Sequence, residues 1–341
     1  MPKLEEIDLC VFITHFVPPE STYVSYLRDF LKPRFSRQYL RSWARLVKHG
    51  TRGNQPWKKD VMTSERREQD DFRFQFLNNQ ILALTQIRVR NLQIHVHTNS
   101  SIASEKLKEI WRHISLEIHF HPQYNFMNIL NNSPWIASNG KSPWFLAWEH
   151  KNSLRYAVAE SSDSSIFLCL ENDSLFTESN LRYFLQYKDD LAKFGLLPSF
   201  LQTEYSNSSD QFFAVSVFEN EKLSLEDLPK VQVENVLFIQ LPNPYSGLII
   251  LDKVQARRYV ESPAFTEFES RSLTWWDIGA RAAMGLQFID VPEGFTSRNV
   301  VPVNRSGIGV LECAWVPHQP NIYVRKRAFT RGMTPSSLFN P

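Results

Sequence analysis

The stretch I-F-L-C-L-E-N-D-S, residues 166–174, decides how we interpret this 341-residue chain. Its first five residues are uniformly apolar and predict a strand buried on both faces, as at the centre of a parallel sheet. The strand leads directly into Glu171 and Asp173, with Asn172 between them. Because ligands of open α/β sheets bind beyond the carboxyl ends of the strands, an acidic ligand site is predicted at the tip of this strand. We expect Asp173 to be exposed there and to contribute little to stability.

The region before this stretch alternates between strand-like and helix-like patterns. Strands are predicted at 9–16, 91–99 and 116–120, and helices at 72–85 and 106–111. Such an order is typical of a parallel sheet, in which the carboxyl ends of the strands share one edge.

Two of these strands end in polar pairs, Thr14-His15 and Thr98-Asn99. If the sheet is parallel, both pairs lie at the same edge as Asp173. We predict that these four residues contact a bound nucleotide. Polar residues also end many strands that bind nothing, so each pair has a purely structural alternative.

The second half of the chain is richer in short strands. A helix is predicted from Thr177-Glu178 to Gly195, which is a natural helix stop. Strand-like runs follow at 212–218, 236–241 and 248–251, and a helix-like segment at 278–286. Since no linker rich in Gly, Ser or Pro divides the chain, we predict one domain, with a nucleotide-binding half at 1–175 and an acceptor-side half at 176–341.

The composition indicates an ordinary globular protein, with 43% hydrophobic residues. No run approaches the roughly 18 apolar residues of a membrane span, and the first residues lack the pattern of a secretory signal. We therefore expect a cytoplasmic protein. Cys10, Cys169 and Cys313 are widely spaced, which favours small buried hydrophobic residues over a disulfide framework or a zinc motif.

A net charge of only +2 conceals a basic segment at residues 32–59, which holds nine Lys and Arg and no acid. Arg37, Arg41 and Arg45 recur every four residues, as on one side of an amphipathic helix. Such a helix is either solvated or attracted to an anionic membrane, which would hold the protein peripherally at the inner face of that membrane. No recognised nucleic-acid-binding module accompanies the charge, so we expect no nucleic-acid partner.

The spacing of Glu171 and Asp173 lets both carboxylates face one ligand. Mg²⁺ or Mn²⁺ is commonly held by one or two carboxylates, with further positions left for phosphate oxygens. The alternative is a plain turn, which Asn and Asp favour through local hydrogen bonds.

Six motifs lie along most of the chain. They are S-P-W-F-L-A-W-E-H-K at 142–151, F-L-C-L-E-N-D-S-L-F-T-E at 167–178, G-L-L-P-S-F-L-Q-T-E at 195–204, N-P-Y-S-G at 243–247, A-R-A-A-M-G-L-Q-F at 280–288 and W-V-P-H-Q-P-N at 315–321. Together they resemble a family of bacterial and viral glycosyltransferase-like proteins, in which a strand ends in an acidic triplet. That triplet is similar to the metal-binding acidic motif of GT-A glycosyltransferases.

The resemblance implies a fold and a reaction. The fold is α/β, a GT-A-like Rossmann-type fold with a central, mostly parallel mixed sheet flanked by helices. The reaction is transfer of a sugar from a nucleotide-sugar donor to a glycan or lipid-linked acceptor, with Mn²⁺ or Mg²⁺ assisting departure of the nucleoside diphosphate.

The same resemblance implies metal ligands. Glu171 and Asp173 match the outer positions of the triplet, and Asp173 is the implied direct ligand. His318 is similar to the C-terminal histidine that completes the metal site in many GT-A enzymes, with a turn histidine after Pro317 as the alternative. Asn172 departs from the acid expected at the middle position, which puts the strength of metal binding in question.

An inverting transfer also needs a base within reach of the acceptor hydroxyl. Glu267, Glu269 and Asp277 lie where GT-A enzymes commonly place it, and we favour Asp277 and then Glu269, although Asp277 is also a good helix cap. Trp148 and Lys151 are candidates for stacking on the nucleotide and for a phosphate-facing cation, with a core position as the alternative for Trp148.

Three functions follow as hypotheses. The first is a metal-dependent glycosyltransferase. The second is a nucleotide-sugar-binding relative without catalysis, and the third is a scaffold whose basic segment binds a membrane or a partner.

Overall fold

The computed structural model describes residues 3–17, 64–125, 143–215, 223–304, 308–321, 323–324 and 333–340. The basic segment at 32–59 lies outside these residues. Its helix and its membrane contact therefore stay predictions.

Helices and strands alternate in the first half of the described chain, and short strands dominate the second half. The strands are β1 Asp8–His15, β2 Asn91–Thr98, β3 Leu116–Phe120, β4 Ser165–Glu171, β5 Leu197–Pro198, β6 Leu201–Ser206, β7 Gln211–Ala214, β8 Leu223–Ser224, β9 Lys230–Val233, β10 Val236–Ile239, β11 Leu248–Asp252, β12 Asn299–Pro302, β13 Trp315–Pro317 and β14 Phe339–Asn340. The α-helices are α1 Ser64–Thr85, α2 Ser101–Ile110, α3 Leu146–Glu160, α4 Glu178–Ala192, α5 Lys253–Glu261, α6 Glu267–Ser270 and α7 Ile278–Ala282. None of these helices combines the length and the apolar character that crossing a membrane requires.

The central sheet has five strands in the order β11-β4-β1-β2-β3. Strands β4, β1, β2 and β3 are parallel, and β11 runs antiparallel to β4. Helices α1, α2 and α4 contribute to the core on one face, and α3 and α5 to the core on the other. The predicted fold class, a mostly parallel mixed sheet flanked by helices, is confirmed, and the strand order is Rossmann-like.

The strand order reverses between β1 and β4. From β1 the chain builds β2 and β3 on one side, and β4 is then added on the other. Thr14 is paired in register with Glu171, and His15 with Thr98. The prediction that the carboxyl ends of these strands share one edge is confirmed, and the crevice at such a reversal is where α/β sheets bind ligands.

Both faces of the central strands are buried, which explains their uninterrupted apolar sequences. Val11 and Leu168 pack on one face, while Phe12 and Phe167 pack on the other, and all four are at most 1% exposed. Cys10 and Cys169 are buried as expected, and Cys313 is half-buried.

A small sheet connects the C-terminal part of the chain to the tip of β4. Its strand order is β13-β6-β7, with β13 and β6 parallel. Directly after β13, His318 forms an antiparallel bridge with Ser174. This pairing places residue 318 beside the acidic turn, although 144 positions separate the two in sequence.

Several predicted boundaries change. The predicted strand at 212–218 is observed as Gln211–Ala214, and residues 216–222 lie outside the described chain. The helix-like segment at 278–286 is helical only over Ile278–Ala282, because Gly285 has φ +56°, which a right-handed helix does not allow. Helices α3 and α5 were not predicted.

Candidate functional site

The acidic turn after β4 is held from two sides. The Asn172 N–H donates to the carbonyl of Thr14 at the end of β1, at 3.2 Å. On the other side, the Gln319 N–H donates to the Asp173 carbonyl at 2.8 Å. The turn is therefore fixed between the sheet edge and the segment that carries His318.

His318 lies between two carboxylates. Its Nε2 is 3.4 Å from Asp173 Oδ2, and its Nδ1 is 2.6 Å from Glu204 Oε1. Burial lowers the pKa of His318, but hydrogen bonds to Asp173 and Glu204, and their charges, outweigh it and raise the pKa to about 10. Without a bound cation, His318 is therefore an imidazolium at neutral pH. The predicted proximity of Asp173 and His318 is realised.

Glu204 is a residue that the sequence did not identify. It is fully buried on β6 and accepts hydrogen bonds from the backbone N–H groups of Tyr323 at 2.8 Å and Val324 at 2.6 Å. The Tyr323 ring stacks on the imidazole of His318, with centroids 5.2 Å apart. Glu204 and Tyr323 thus fix the orientation of His318.

The expectation that Asp173 is exposed is wrong. Its side chain is only 18% exposed, because the segment around His318 covers it. Burial raises the pKa of Asp173, but the hydrogen bond and charge of His318 outweigh this effect and leave the pKa below its usual value. Oδ1 of Asp173 is buried and has no hydrogen-bond partner among the described residues.

Glu171 has different surroundings. The Tyr245 hydroxyl donates to its Oε1 at 2.7 Å. Burial, and then the neighbouring Asp173, raises the pKa of Glu171 to about 7. Among the described residues, Glu171, Asp173 and His318 do not form one set of three ligand atoms within 4.8 Å of one another. The predicted three-residue metal site is thus reduced to Asp173 and His318.

His15 ends β1 and is fully buried, with neither ring nitrogen hydrogen-bonded to a described residue. Burial, and then the charge of Arg73, lowers its pKa to about 3, while Asp173 acts in the opposite direction. His15 is therefore a neutral imidazole within electrostatic reach of Asp173. Thr14, its neighbour, is half-buried at the same edge.

The second polar pair, Thr98-Asn99, makes hydrogen bonds within the protein. Asn99 is fully buried, and its amide makes paired bonds of 2.9 Å with the N–H and carbonyl of Val17. Thr98 is also fully buried, and its hydroxyl accepts from the Ser100 N–H at 3.0 Å. The hydrogen-bonding groups predicted to meet a nucleotide are used within the chain, so we leave both residues out of the proposed site.

Trp148 and Lys151 lie inside the molecule. The Trp148 indole donates to the Ile278 carbonyl at 2.9 Å, and its side chain is buried. Lys151 Nζ donates to the Tyr259 hydroxyl and, at 3.0 Å, to the Ala282 carbonyl. Burial lowers the pKa of Lys151 to about 7. Both side chains belong to the interior rather than to a surface that faces phosphate.

The two base candidates differ in position. Asp277 is exposed at the start of α7, where its Oδ1 accepts from the Ala280 N–H at 2.8 Å, and its charge contributes to raising the pKa of Glu171. It therefore caps a helix and also lies near the acidic turn. Glu269 lies in the first turn of α6, which Thr266 caps: the Glu269 N–H donates to the Thr266 side-chain oxygen at 3.2 Å, and the Thr266 hydroxyl donates to the Glu269 carboxylate at 2.8 Å. Glu267 forms ion pairs with Arg271 and Arg281.

The geometry fits a divalent ion on Asp173 and His318. The Asp173 oxygen nearest the imidazole is Oδ2, 3.4 Å from His318 Nε2, and Oδ1 has no hydrogen-bond partner among the described residues. If Nδ1 of His318 donates to Glu204, Nε2 presents its lone pair toward Asp173, as in the carboxylate–histidine–metal arrangement of many metalloproteins. A site with two protein ligands leaves positions for water and phosphate oxygens, as Mg²⁺ and Mn²⁺ prefer.

Comparison with known proteins adds little. No protein-family model matches the chain, and no curated protein matches it. Among solved structures, it aligns with a CMP:2-keto-3-deoxy-manno-octonic acid synthetase complexed with CTP, at 8% sequence identity and a TM-score of 0.31, over 78% of this chain and 81% of that chain. A likeness at this level supports neither a fold nor a function for this chain.

Proposed function

We propose that this protein is a metal-dependent glycosyltransferase that uses a nucleotide-sugar donor. The observation that carries the proposal is the pairing of Asp173 with His318 at the reversal point of the sheet, with Glu204 buried behind the histidine. The resemblance of the acidic turn and the W-V-P-H motif to GT-A enzymes supports the same reading.

In this proposal Asp173 and His318 hold Mn²⁺ or Mg²⁺. The ion would stabilise the negative charge that develops on the departing diphosphate. Glu204 keeps the proton on Nδ1 of His318, so that Nε2 is available as a ligand. Binding an ion there requires loss of the Nε2 proton, so cation and proton compete for the same position.

The nucleotide would lie in the crevice beyond β1 and β4, next to Thr14 and His15. His15 is a neutral imidazole buried beneath this edge of the sheet, and neither of its nitrogens has a hydrogen-bond partner among the described residues. Residues 1–175 thus provide the nucleotide crevice, but His318 and Glu204 from residues 176–341 complete the metal site. The proposed halves act together rather than separately.

Asp277 is the proposed base for an acceptor hydroxyl, because it is exposed and close enough to Glu171 to influence its pKa. Glu171 titrates near neutral pH and is half-buried beside Tyr245, which makes it a positioning residue for the turn. A glycan or a lipid-linked glycan is the proposed acceptor, and peripheral membrane contact through residues 32–59 would serve the latter.

A second candidate is a relative that binds nucleotide-sugars without transferring the sugar. Two points favour it: position 172 holds Asn where the resemblance implies an acid, and Glu171 does not form one three-ligand set with Asp173 and His318 among the described residues. Binding and turnover therefore need separate tests.

A thermal-shift panel of nucleoside diphosphates and nucleotide-sugars, with Mn²⁺ or with EDTA, tests binding. A ligand at a hundred times its dissociation constant should stabilise the protein by about 2.7 kcal/mol. Stabilisation that requires both nucleotide and Mn²⁺ is expected, and its absence across the panel would refute both candidates. Donor hydrolysis with Mn²⁺ then separates the transferase from the binding protein.

A further inference from the structure

Strands β2 and β3 present a histidine-rich surface that the proposed function does not use. His95 and His97 alternate along β2, and Glu117 and His119 alternate along β3. His95 pairs in register with Glu117, and His97 with His119, so all four residues project to the same face of the sheet.

Three of these side chains converge. His95 Nδ1 is 3.3 Å from His119 Nε2 and 3.3 Å from Glu117 Oε2, and His119 Nε2 is 3.8 Å from the same Oε2. In tetrahedral zinc sites, with bonds of about 2.0–2.2 Å, neighbouring ligand atoms lie about 3.3–3.6 Å apart. The observed separations are close to that spacing.

The surroundings hold these ligand atoms in place. The Gln93 amide donates to Oε1 of Glu117 at 3.2 Å, which leaves Oε2 directed at the two imidazoles. The His95 ring stacks on Phe12 at 4.9 Å between centroids, and the His119 ring stacks on His97 at 4.4 Å. Stacking fixes the ring planes before any ligand is present.

Hydrogen bonds alone do not satisfy this arrangement well. His95 Nδ1 carries either one proton or one lone pair, yet it lies at 3.3 Å from both a nitrogen and a carboxylate oxygen. One proton can make a well-aligned bond to only one of them, whereas a cation interacts favourably with all three atoms.

We propose that His95, Glu117 and His119 form a second metal site, which binds a divalent transition ion of the Zn²⁺ class. Two imidazole nitrogens and one carboxylate oxygen suit such an ion better than Mg²⁺, which prefers oxygen ligands. Glu117 is 55% exposed and His119 32%, so the site opens to solvent and a fourth position is available to water.

The site would tie β3 to β2. Among the described strands β3 lies at the edge of the central sheet and pairs with β2. The second ring nitrogen of His95, Nε2, is buried and has no hydrogen-bond partner among the described residues. The hydrogen bond from Gln93 to Glu117 therefore supports one ligand, while His95 lacks such support. We expect weaker binding than at fully supported structural zinc sites.

Zn²⁺ titrations of the full chain test the proposal. They are made in the Asp173→Asn background, which removes the acidic turn as a competing site and makes the result independent of the proposed function. We expect this protein to bind one Zn²⁺ between the strands. His119→Ala and Glu117→Gln should each weaken that binding at least about tenfold. His113→Ala, an exposed histidine outside the cluster, should leave it unchanged.

Circular dichroism in EDTA shows whether each variant is folded. If His119→Ala does not fold, Glu117→Gln alters only an exposed side chain and still decides the question. Failure of the folded background protein to bind Zn²⁺ would overturn the proposal, as would equal Zn²⁺ affinity in the background protein and in both ligand variants.

Discussion

Replacement of Glu204 by Gln tests the buried centre of the candidate site, because it removes a charge and keeps the shape. Among its bonds to described residues, the Glu204 carboxylate accepts from His318 Nδ1 and from two backbone N–H groups, at 2.6–2.8 Å. Hydrogen bonds to a charged group contribute about 1.5–3 kcal/mol, and neutral ones about 0.5–1.5 kcal/mol. Because a Gln side chain has one accepting oxygen, at least one of these bonds is lost and the others become neutral, which gives a predicted destabilisation of at least about 3 kcal/mol.

Glu171→Gln is the matched control. Glu171 accepts a hydrogen bond from Tyr245, and its pKa of about 7 means that it is already partly neutral at neutral pH. The same chemical change there should cost less than about 1 kcal/mol. Urea denaturation of both variants and the wild type at pH 7, in EDTA, measures these differences without involving any ligand.

The Mn²⁺ affinity of Glu204→Gln provides the second measurement. Without the carboxylate, the tautomer and orientation of His318 are no longer fixed, and loss of such an outer-shell partner typically weakens metal binding 10–100-fold. Equal stability of the Glu204→Gln and Glu171→Gln proteins would refute the energetic reasoning. Unchanged Mn²⁺ affinity in a folded Glu204→Gln protein would refute the assigned ligand geometry.

Three further predictions concern single residues. Asp173→Asn should abolish Mn²⁺-dependent nucleotide binding in calorimetry while binding measured in EDTA stays the same; Mn²⁺ dependence that persists would contradict the metal site. In the wild type, the free energy of unfolding should rise with pH between 7 and 10.5, because Lys151 loses its proton near pH 7 in the folded protein but only near pH 10.5 in the unfolded chain. Lys151→Met should remove this rise. That rise is at most about 1.4 kcal/mol per pH unit, and an unchanged slope in denaturation from pH 7 to 9 would refute it. Gly247→Ala should destabilise by about 1–3 kcal/mol, because φ is +68° and the new Cβ would collide with the Gln202 amide. Gly294→Ala has a similar φ of +83°, but its new Cβ would meet no described atom within 4 Å beyond its chain neighbours, so it should cost less in thermal unfolding; equal costs would exclude the collision.

The sheet could be predicted because its strands have distinctive local sequences. The apolar run at 166–170 and the runs at 9–16 and 91–99 are buried strands within one or two residues of their predicted ends. β1 and β4 are buried on both faces, so their apolar runs are visible in a short window, whereas the strand at 91–99 is visible through its alternation.

The candidate site could be predicted only in part, because the residues that contact one another there are distant in sequence. Glu204 lies 114 residues from His318, and nothing local to L-Q-T-E-Y-S shows that its glutamate becomes fully buried. The sequence also cannot show whether a polar side chain faces a ligand or the chain itself. Asn99 and Thr14 both end strands, yet the amide of Asn99 is used entirely within the chain.

Asn172 shows how the structure changes the meaning of a motif. In the sequence it stands where an acid was expected, which suggests a weakened metal site. In the structure its side chain is buried, with Nδ2 unpartnered among the described residues. Burial and the charge of Asp173 already raise the pKa of Glu171, so an acid at position 172 would place a third carboxylate, a buried one, beside these two. A neutral amide avoids that repulsion without removing Asp173 or His318 from the proposed ligand set. The departure from the motif is therefore compatible with a metal site in which residue 172 is not a ligand.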